Sequence, residues 1–448
     1  MTIIVLLILA GVSIATLTGN NGILTQANQA KENNNSAAVK EKVEVEALGS
    51  IDKSGKFNKE TFKDNLKTNL KLSDNDIVDN ADGTITVKID GYDVTVNGTT
   101  GEVTGVTKSN GEKPTTGVQP GTEVSKTEKD NYTDSNKEKA TIPEGFTVDK
   151  TENTISSGLV VRGPDGNEFV WVPVSKINNM AQCSTAGGSC NLQLDGDSLK
   201  CTTHNSTDIV GKLYATSTGE NFGTANTTYN ADSGLREPAI VKEYDNNSSY
   251  NTIGLKLSDM QRDYRNMAAK VAKYGGFYVG RYETSLSDAT ESSAGTNGKV
   301  QSKQGVIPTS AGNSATSSWY GLYSKQKGYT GKNGSVESSM IWGSQYDAML
   351  NWAKTGNDKD KITNTSLGNN SSGSVTTAGN SNYSNDSINN IRDLGSNLRE
   401  WTLEAYGTIY RVYRGGNYDN TSSPSSRYGS YPSYTYSNNG SRVTLYIK

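Results

Sequence analysis

Histidine is almost absent from this 448-residue chain, with His204 its one copy, and that scarcity removes much side-chain chemistry from consideration. Ser/His/Asp triads, two-histidine zinc sites and facial triads all need imidazole set in place by a partner. His204 lies in "CTTHNSTD", a Ser/Thr/Asn-rich loop, and reads as a solvated side chain. Cysteine is scarce too, and Cys183, Cys190 and Cys201 fall in one short window. In an exported protein two of the three are expected to join in a local disulfide, with one left over. A Cys3His zinc site with His204 fits none of the compact ligand-pair spacings. Neither sign of charge is in excess: 44 Lys and Arg stand against 47 Asp and Glu, mixed along the chain, for a net charge of -3. There is therefore no basic footprint for nucleic acid and no charged tail. Apolar residues make up only 33% of the chain, so its cores must come from a few elements separated by long polar loops. What is plentiful is glycine, with 47 copies, and tyrosine, with 24, in a chain long enough for two or three domains.

The apolar stretch "TIIVLLILAGVSIATL", Thr2 to Leu17, is somewhat short for a helix spanning a hydrocarbon core of roughly 30 Å, and no basic residue precedes it. It reads either as a signal-peptide core or as a membrane helix whose upstream part is missing. Ile23 to Leu48 follows as a polar or amphipathic helix rich in Ala, Lys, Glu and Gln, without a small-residue cleavage site. An apolar helix running straight into a polar one resembles the N-terminus of type IV pilins and of pilin-like Gram-positive surface proteins. That resemblance implies a leader clipped by a prepilin peptidase and an apolar half held in a membrane or filament core. The chain departs from it in lacking the leader, the processing glycine and the following glutamate, so a start further upstream is expected.

Periodicity divides the rest. Asn58 to Leu72 puts Phe62, Leu66 and Leu70 on one helical face. Ile85, Val87 and Ile89 then alternate, as do Val94 and Val96, with turns at Asp90-Gly91 and Asn97-Gly98. A helix on a β-meander is expected, suited to a pilin head. Thr107 to Ala140 has almost no apolar residue and reads as a flexible, solvated linker. A further domain opens at Thr141, with strands around Pro164-Asp165-Gly166 and Trp171 as a core residue. Ser175 to Asn251 reads as a large polar insertion. Ser258 is the expected cap of a helix carrying Met260, Tyr264, Met267, Val271 and Tyr274, which Gly275-Gly276 ends. A later helix places Trp342, Tyr346, Met349, Leu350 and Ala353 on one face, and for both stripes packing is the expected role. The boundaries are 1–50 for the apolar helix and its polar extension, 51–106 for a small α+β head, 107–140 for the linker and 141–448 for a second α+β domain.

Six pieces of that last domain occur in a telling order: "EFVWVPV", "GGFYVGRYE", "WGSQYDAMLNWA", "NLREWTLE", "YRGGNYDN" and "GSRVTLYI". Together they resemble the formylglycine-generating-enzyme-like family, which implies a C-type-lectin-like fold over 141–448. The oxidases of that family carry a copper-binding cysteine pair just after the RGG motif. The corresponding positions fall near Asn420 and Ser425, and neither is a thiol. A related non-haem iron branch needs histidines that this chain lacks, so no ligand set for a redox metal remains. Arg399-Glu400-Trp401 offers one carboxylate without a second titratable partner for acid–base work. Glu400 and Trp401 are expected to be scaffold, as are Arg414 and Arg442. No enzyme, no resident cofactor and no metal are expected. Calcium stays open because Asp and Asn abound, although no loop has EF-hand spacing.

The non-catalytic branch of the same family includes variable proteins whose C-terminal segment is rewritten by a diversity-generating retroelement. Adenine substitution in Asn codons of the AAC or AAT kind cannot reach Lys, Glu, Gln, Met or Trp. None of those five occurs between Asn417 and Ser441. Thr363 to Asn390 lacks them too, so position between the RGG turn and the last strand weighs more than composition. The resemblance implies a hypervariable face binding an unknown protein or glycan. Tyr418, Tyr428, Tyr431, Tyr434 and Tyr436 are the candidate anchors, because tyrosine offers wide contact area with few rotors to freeze. Asn417, Asp419, Asn420, Ser422, Ser425, Arg427, Ser430, Asn438 and Asn439 are the candidate polar contacts around them. "RVTLYIK" alternates and should pair inside the domain. Ser441 holds a place where the family usually has Phe, so looser packing is expected there. The expected function is surface-displayed ligand binding, anchored through a membrane or pilus. The alternatives are a structural pilin-like protein with a static lectin-like domain and, third, a formylglycine-type oxidase.

Overall fold

A computed structural model describes residues 37–90, 92–108, 118–184, 191–202, 209–214, 234–311 and 318–448. The chain separates into two compact units, Met1–Thr115 and Thr116–Lys448. Strands outweigh helices, and the class is mixed α and β. The apolar stretch Thr2 to Leu17 and the pilin-like resemblance lie outside the described residues. Among the described residues no helix is long and apolar enough to cross a membrane.

The first unit contains helix α1 (residues 37–48), helix α2 (Lys59–Asn69) and strands β1 (Ile77–Asp79), β2 (Thr84–Ile89), β3 (Tyr92–Asn97) and β4 (Val103–Lys108). The Asn58 side chain starts α2 by accepting the Thr61 N–H at 3.0 Å. The strands pair antiparallel in the order β1-β2-β3-β4. Ile85, Val87, Ile89, Val94 and Val96 point from this sheet onto Phe62 and Leu66 of α2 and onto Val39, Val43 and Ala47 of α1. A helix does lie on a meander, as the alternation of Ile85 to Val96 led one to expect.

The second unit has strands β5 (Thr147–Val148), β6 (Val160–Arg162), β7 (Glu168–Pro173), β8 (Leu235–Arg236), β9 (Gly276–Gly280), β10 (Val336–Met340), β11 (Arg399–Tyr406), β12 (Tyr410–Arg414), β13 (Arg427–Ser430), β14 (Asn439–Ser441) and β15 (Val443–Ile447). Its helices are α3 (Lys242–Asp245), α4 (Leu257–Tyr274), α5 (Trp319–Gln326) and α6 (Gly343–Ala353). A six-stranded sheet runs β10-β15-β9-β7-β6-β5. A five-stranded sheet runs β8-β11-β12-β13, with β14 lying parallel against the start of β11.

The last strand shows why the six-stranded sheet is so apolar. β15 sits between β10 and β9, and all five of its residues are buried. Val443, Leu445 and Ile447 face one core with Trp171, Phe169 and Tyr278, while Tyr446 faces the other with Val170, Phe277 and Met267. Both faces of the sheet are therefore covered, so its strands need apolar residues on each side. Trp171 is buried, with its ring 5.0 Å from that of Tyr278.

Three expectations are corrected. The segment read as a solvated linker is no linker over 118–140: Val124, Tyr132 and Ala140 are buried in the core beneath Trp171 and Tyr278. Only a few apolar residues do this, but they are spaced to close one face of the sheet. Ser258 does not cap α4, because Lys256 occupies the N-cap position and Ser258 lies inside the helix. Met260, Tyr264, Met267 and Val271 of α4 are buried, and Gly275 ends the helix in the left-handed region at φ 79°. The polar stretch Ser175 to Asn251 contributes real structure, including β8, α3 and a Cys183–Cys201 disulfide. Cys190 and His204 lie outside the described residues.

Candidate binding face

The frame of the face is a ladder of buried ion pairs behind β11, β12 and β13. Register places Glu400 opposite Arg414 across β11 and β12, and Arg414 opposite Arg427 across β12 and β13. Arg411 meets Asp245 of α3 at 2.6 Å, and Arg442 meets Glu400 at 2.9 Å. Asp347 of α6 accepts from Arg414 at 2.8 Å and from Arg427 at 2.6 Å. Burial pushes the Asp347 carboxyl up, but the two guanidiniums outweigh it and hold the group below its ordinary value. These residues are scaffold, as expected for Glu400, Trp401, Arg414 and Arg442, all of which are buried. Ser441 is enclosed as well and accepts a hydrogen bond from the Gln326 side chain, so a polar contact closes the place where looser packing was expected.

The fourteen candidate residues split between this frame and the surface. Asn417, Tyr418, Ser422, Ser425, Arg427, Ser430 and Asn439 are buried. Tyr418 hydrogen-bonds Ser437 through its hydroxyl at 3.1 Å, and the Ser425 N–H donates to the Ile362 carbonyl at 3.1 Å. Arg427 is corrected from a contact residue to a structural one, because its charge is spent on Asp347. Asp419, Asn420, Tyr428, Tyr434 and Tyr436 are exposed, and Tyr431 and Asn438 are half-buried.

Those outward residues belong to a larger aromatic surface. The Tyr431 ring lies 4.9 Å from Tyr410, 4.8 Å from Tyr434 and 5.5 Å from Tyr244. Tyr434 continues to Tyr436 at 5.3 Å, Tyr244 to Tyr250 at 5.0 Å, and Tyr410 to Tyr406 at 6.4 Å. Beside this run, the Arg399 guanidinium stands 5.2 Å from the Tyr413 ring and 5.4 Å from the Tyr428 ring. The Tyr410 hydroxyl, by hydrogen bond and charge, pushes the Tyr431 phenol up, and burial does the same to Tyr413 against the opposing pull of Arg399. Both shifts favour the neutral phenol at Tyr431 and Tyr413.

The backbone beneath is held in place. β13 pairs with β12 along its whole length, and β14 pairs with β11. Between them, the Pro432 carbonyl accepts from the Trp319 N–H at 3.1 Å and the Tyr431 carbonyl from the Tyr434 N–H at 3.1 Å. Tyr406, Tyr410, Tyr413 and Arg399 were missed in the sequence, although the tyrosines crowded through "EAYGTIYRVYRGG" were a visible signal. Tyr244 and Tyr250, brought in by the polar insertion, had none. Of the positions matched to the oxidase cysteines, Asn420 is exposed and Ser425 buried. Among the described residues no three His, Cys, Asp or Glu side chains converge as a metal site would.

No protein-family model matches the chain, and no curated protein matches it. Among solved structures, the Major Tropism Determinant U1 variant is similar at 13% identity, over 83% of this chain and 95% of its own, with a TM-score of 0.28. The M1 variant of the same protein is similar at 13% identity, over 68% and 84%, with a TM-score of 0.26. CarF is similar at 15% identity, over 39% and 87%, with a TM-score of 0.24. Likenesses this distant carry no argument, and the site stands on its own geometry.

Proposed function

We propose that the second unit is a C-type-lectin-like display domain that binds a macromolecular ligand, without catalysis, through the tyrosine face of β12, β13 and the loop 431–438. The observation that carries this is the division of one short segment between two jobs. Ser425, Arg427 and Asn439 point inward into the frame, while Tyr428, Tyr431, Tyr434 and Tyr436 point outward from it. Large aromatic rings left facing water on a rigid backbone are what recognition surfaces use, because little conformational entropy remains to be lost on binding.

The same segment is free of Lys, Glu, Gln, Met and Trp, which supports its diversification by a retroelement of the adenine-substituting kind. The domain is presented at a surface, with the apolar stretch Thr2 to Leu17 as its anchor. A template repeat near the gene that differs from the codons of 417–441 only at adenines is the genetic test. The binding test replaces Tyr428, Tyr431, Tyr434 and Tyr436 with Ala and measures adherence to a panel of cells and surface polymers. Adherence is expected to fall by tenfold or more with an unchanged unfolding midpoint. Unchanged adherence across the panel would remove the proposal.

A further inference from the structure

Four arginines come from the strands beneath the face, and three of them are neutralised. Arg411 has Asp245, and Arg414 and Arg427 share Asp347, all three inside the protein. Arg399 is different. Among the described residues no carboxylate lies within ion-pair distance of it, and its side chain makes no hydrogen bond. Asp419, at the same end of the face, accepts from the Asn438 amide at 3.3 Å instead. The Arg399 Nε is buried without a partner, while the side chain as a whole is only half-buried. Its terminal nitrogens are therefore the part of the fork left open. The guanidinium sits to one side of the Tyr413 and Tyr428 ring pair, whose centres are 5.8 Å apart, and packing against both rings limits its rotation.

We infer that Arg399 is a fixed reader of acidic protein ligands: whatever side chains the segment 417–441 carries, the partner sets an Asp or Glu carboxylate end-on against the Arg399 guanidinium beside Tyr413. This rests on the reading that the tyrosine face binds. A planar fork with both terminal nitrogens free matches a carboxylate in two parallel hydrogen bonds, and packing against the Tyr413 ring holds the fork ready before the ligand arrives. The surroundings favour a protein over other anions, because tyrosine and arginine set together on a stiff surface are the side chains that dominate protein–protein contacts. Arg399 and Tyr413 both lie outside 417–441. The demand for a negative charge is therefore constant while the remaining contacts can change.

The test uses the full chain and a displayed library of random twelve-residue peptides. Recovered peptides are remade with each Asp or Glu replaced by Asn or Gln and measured on the native chain and on R399Q. For each peptide, one acid-to-amide change is expected to weaken binding at least tenfold on the native chain and less than twofold on R399Q. R399K, which keeps charge but not the fork, should fall between them, and all three proteins should share one unfolding midpoint. Equal losses on native and R399Q chains, or recovery of no peptide, would overturn the inference. Arg399-dependent binding of polyuronate oligosaccharides without any of peptides would overturn the protein assignment. Peptides that bind undiminished when Tyr431, Tyr434 and Tyr436 are Ala would count against the face itself, separately from Arg399.

Discussion

Arg442 and Glu400 are both fully enclosed, and neither can be understood alone. The guanidinium donates to Glu400 at 2.9 Å, to the Gly280 carbonyl at 2.8 Å and to the Arg392 carbonyl at 2.7 Å, tying the junction of β14 and β15 to β9 and β11. A buried pair of this kind adds little net stability, but removing one partner strands the other charge in a low-dielectric interior. Arg442→Ala should cost about 3–5 kcal/mol. Urea unfolding followed by tyrosine fluorescence should show a lower midpoint at an unchanged slope. Glu237 is a second enclosed acid, and its partners are backbone and hydroxyl groups rather than a cation. Burial raises its carboxyl to about 8, and nearby Glu404 adds to the effect, against hydrogen bonds from Ser344 and Gly343. The sign follows from linkage: above the ordinary carboxylate value the unfolded chain has released a proton that the folded chain still holds, so stability is greatest at low pH and falls as pH rises toward about 8. Glu237→Gln keeps an acceptor for the Gly343 N–H and has no proton to lose. Between pH 5 and 7.5 it should reduce proton uptake on folding by about one and flatten that part of the stability profile, read from unfolding midpoints across the series.

At the scale of elements, how well the sequence could be read depends on whether periodicity or tertiary cover decided the outcome. The stripe Met260-Tyr264-Met267-Val271, though not its last member Tyr274, which is half-buried, and the alternation Val443-Leu445-Ile447 survive because a helix face and a strand face are each covered. The polar segment 118–140 defeated composition, because a chain that covers a sheet needs only Val124, Tyr132 and Ala140 in the right places. The candidate site was half legible for a related reason. Residue types suited to recognition also suit turns, and nothing in "TSSPSSR" tells that Ser425 and Arg427 face inward while Tyr428 faces out. Tyr406 and Tyr410 could have been found by pairing "EAY" with "YRV" across Gly407. The covering segment gives its own prediction. A chain that begins at residue 141 leaves one face of the six-stranded sheet with Trp171, Phe169 and Tyr278 short of cover, an exposed apolar surface of the kind that drives aggregation. It should elute as soluble aggregate on size exclusion and bind a hydrophobic dye, whereas a chain beginning at residue 116 should do neither. The Cys183–Cys201 link closes a short loop beside α4, with a sequence separation of 18. Its removal by Cys183→Ser with Cys201→Ser should cost about 3 kcal/mol by the loop-entropy relation, read as a lower thermal midpoint.

For the second unit as a whole, stability and recognition draw on different atoms of the same segment. The frame consists of a sheet covered on both faces and four arginines held against buried carboxylates. The face consists of rings whose removal leaves every one of those contacts intact. Two parts so separated should tolerate change very differently, and a pair of libraries compares them directly. One randomises Tyr428, Tyr431, Tyr434 and Tyr436 together; the other randomises Ser425, Arg427 and Asn439. Exposed aromatics surrendered from a paired backbone cost within about 0.5 kcal/mol each, so most members of the first library should remain folded and protease-resistant. The second removes a partner of Asp347 and places new side chains in enclosed polar positions, where each loss is several times larger. Most of its members should be degraded. A first library as poorly folded as the second would mean that the tyrosines are structural, and the separation of frame from face would be lost.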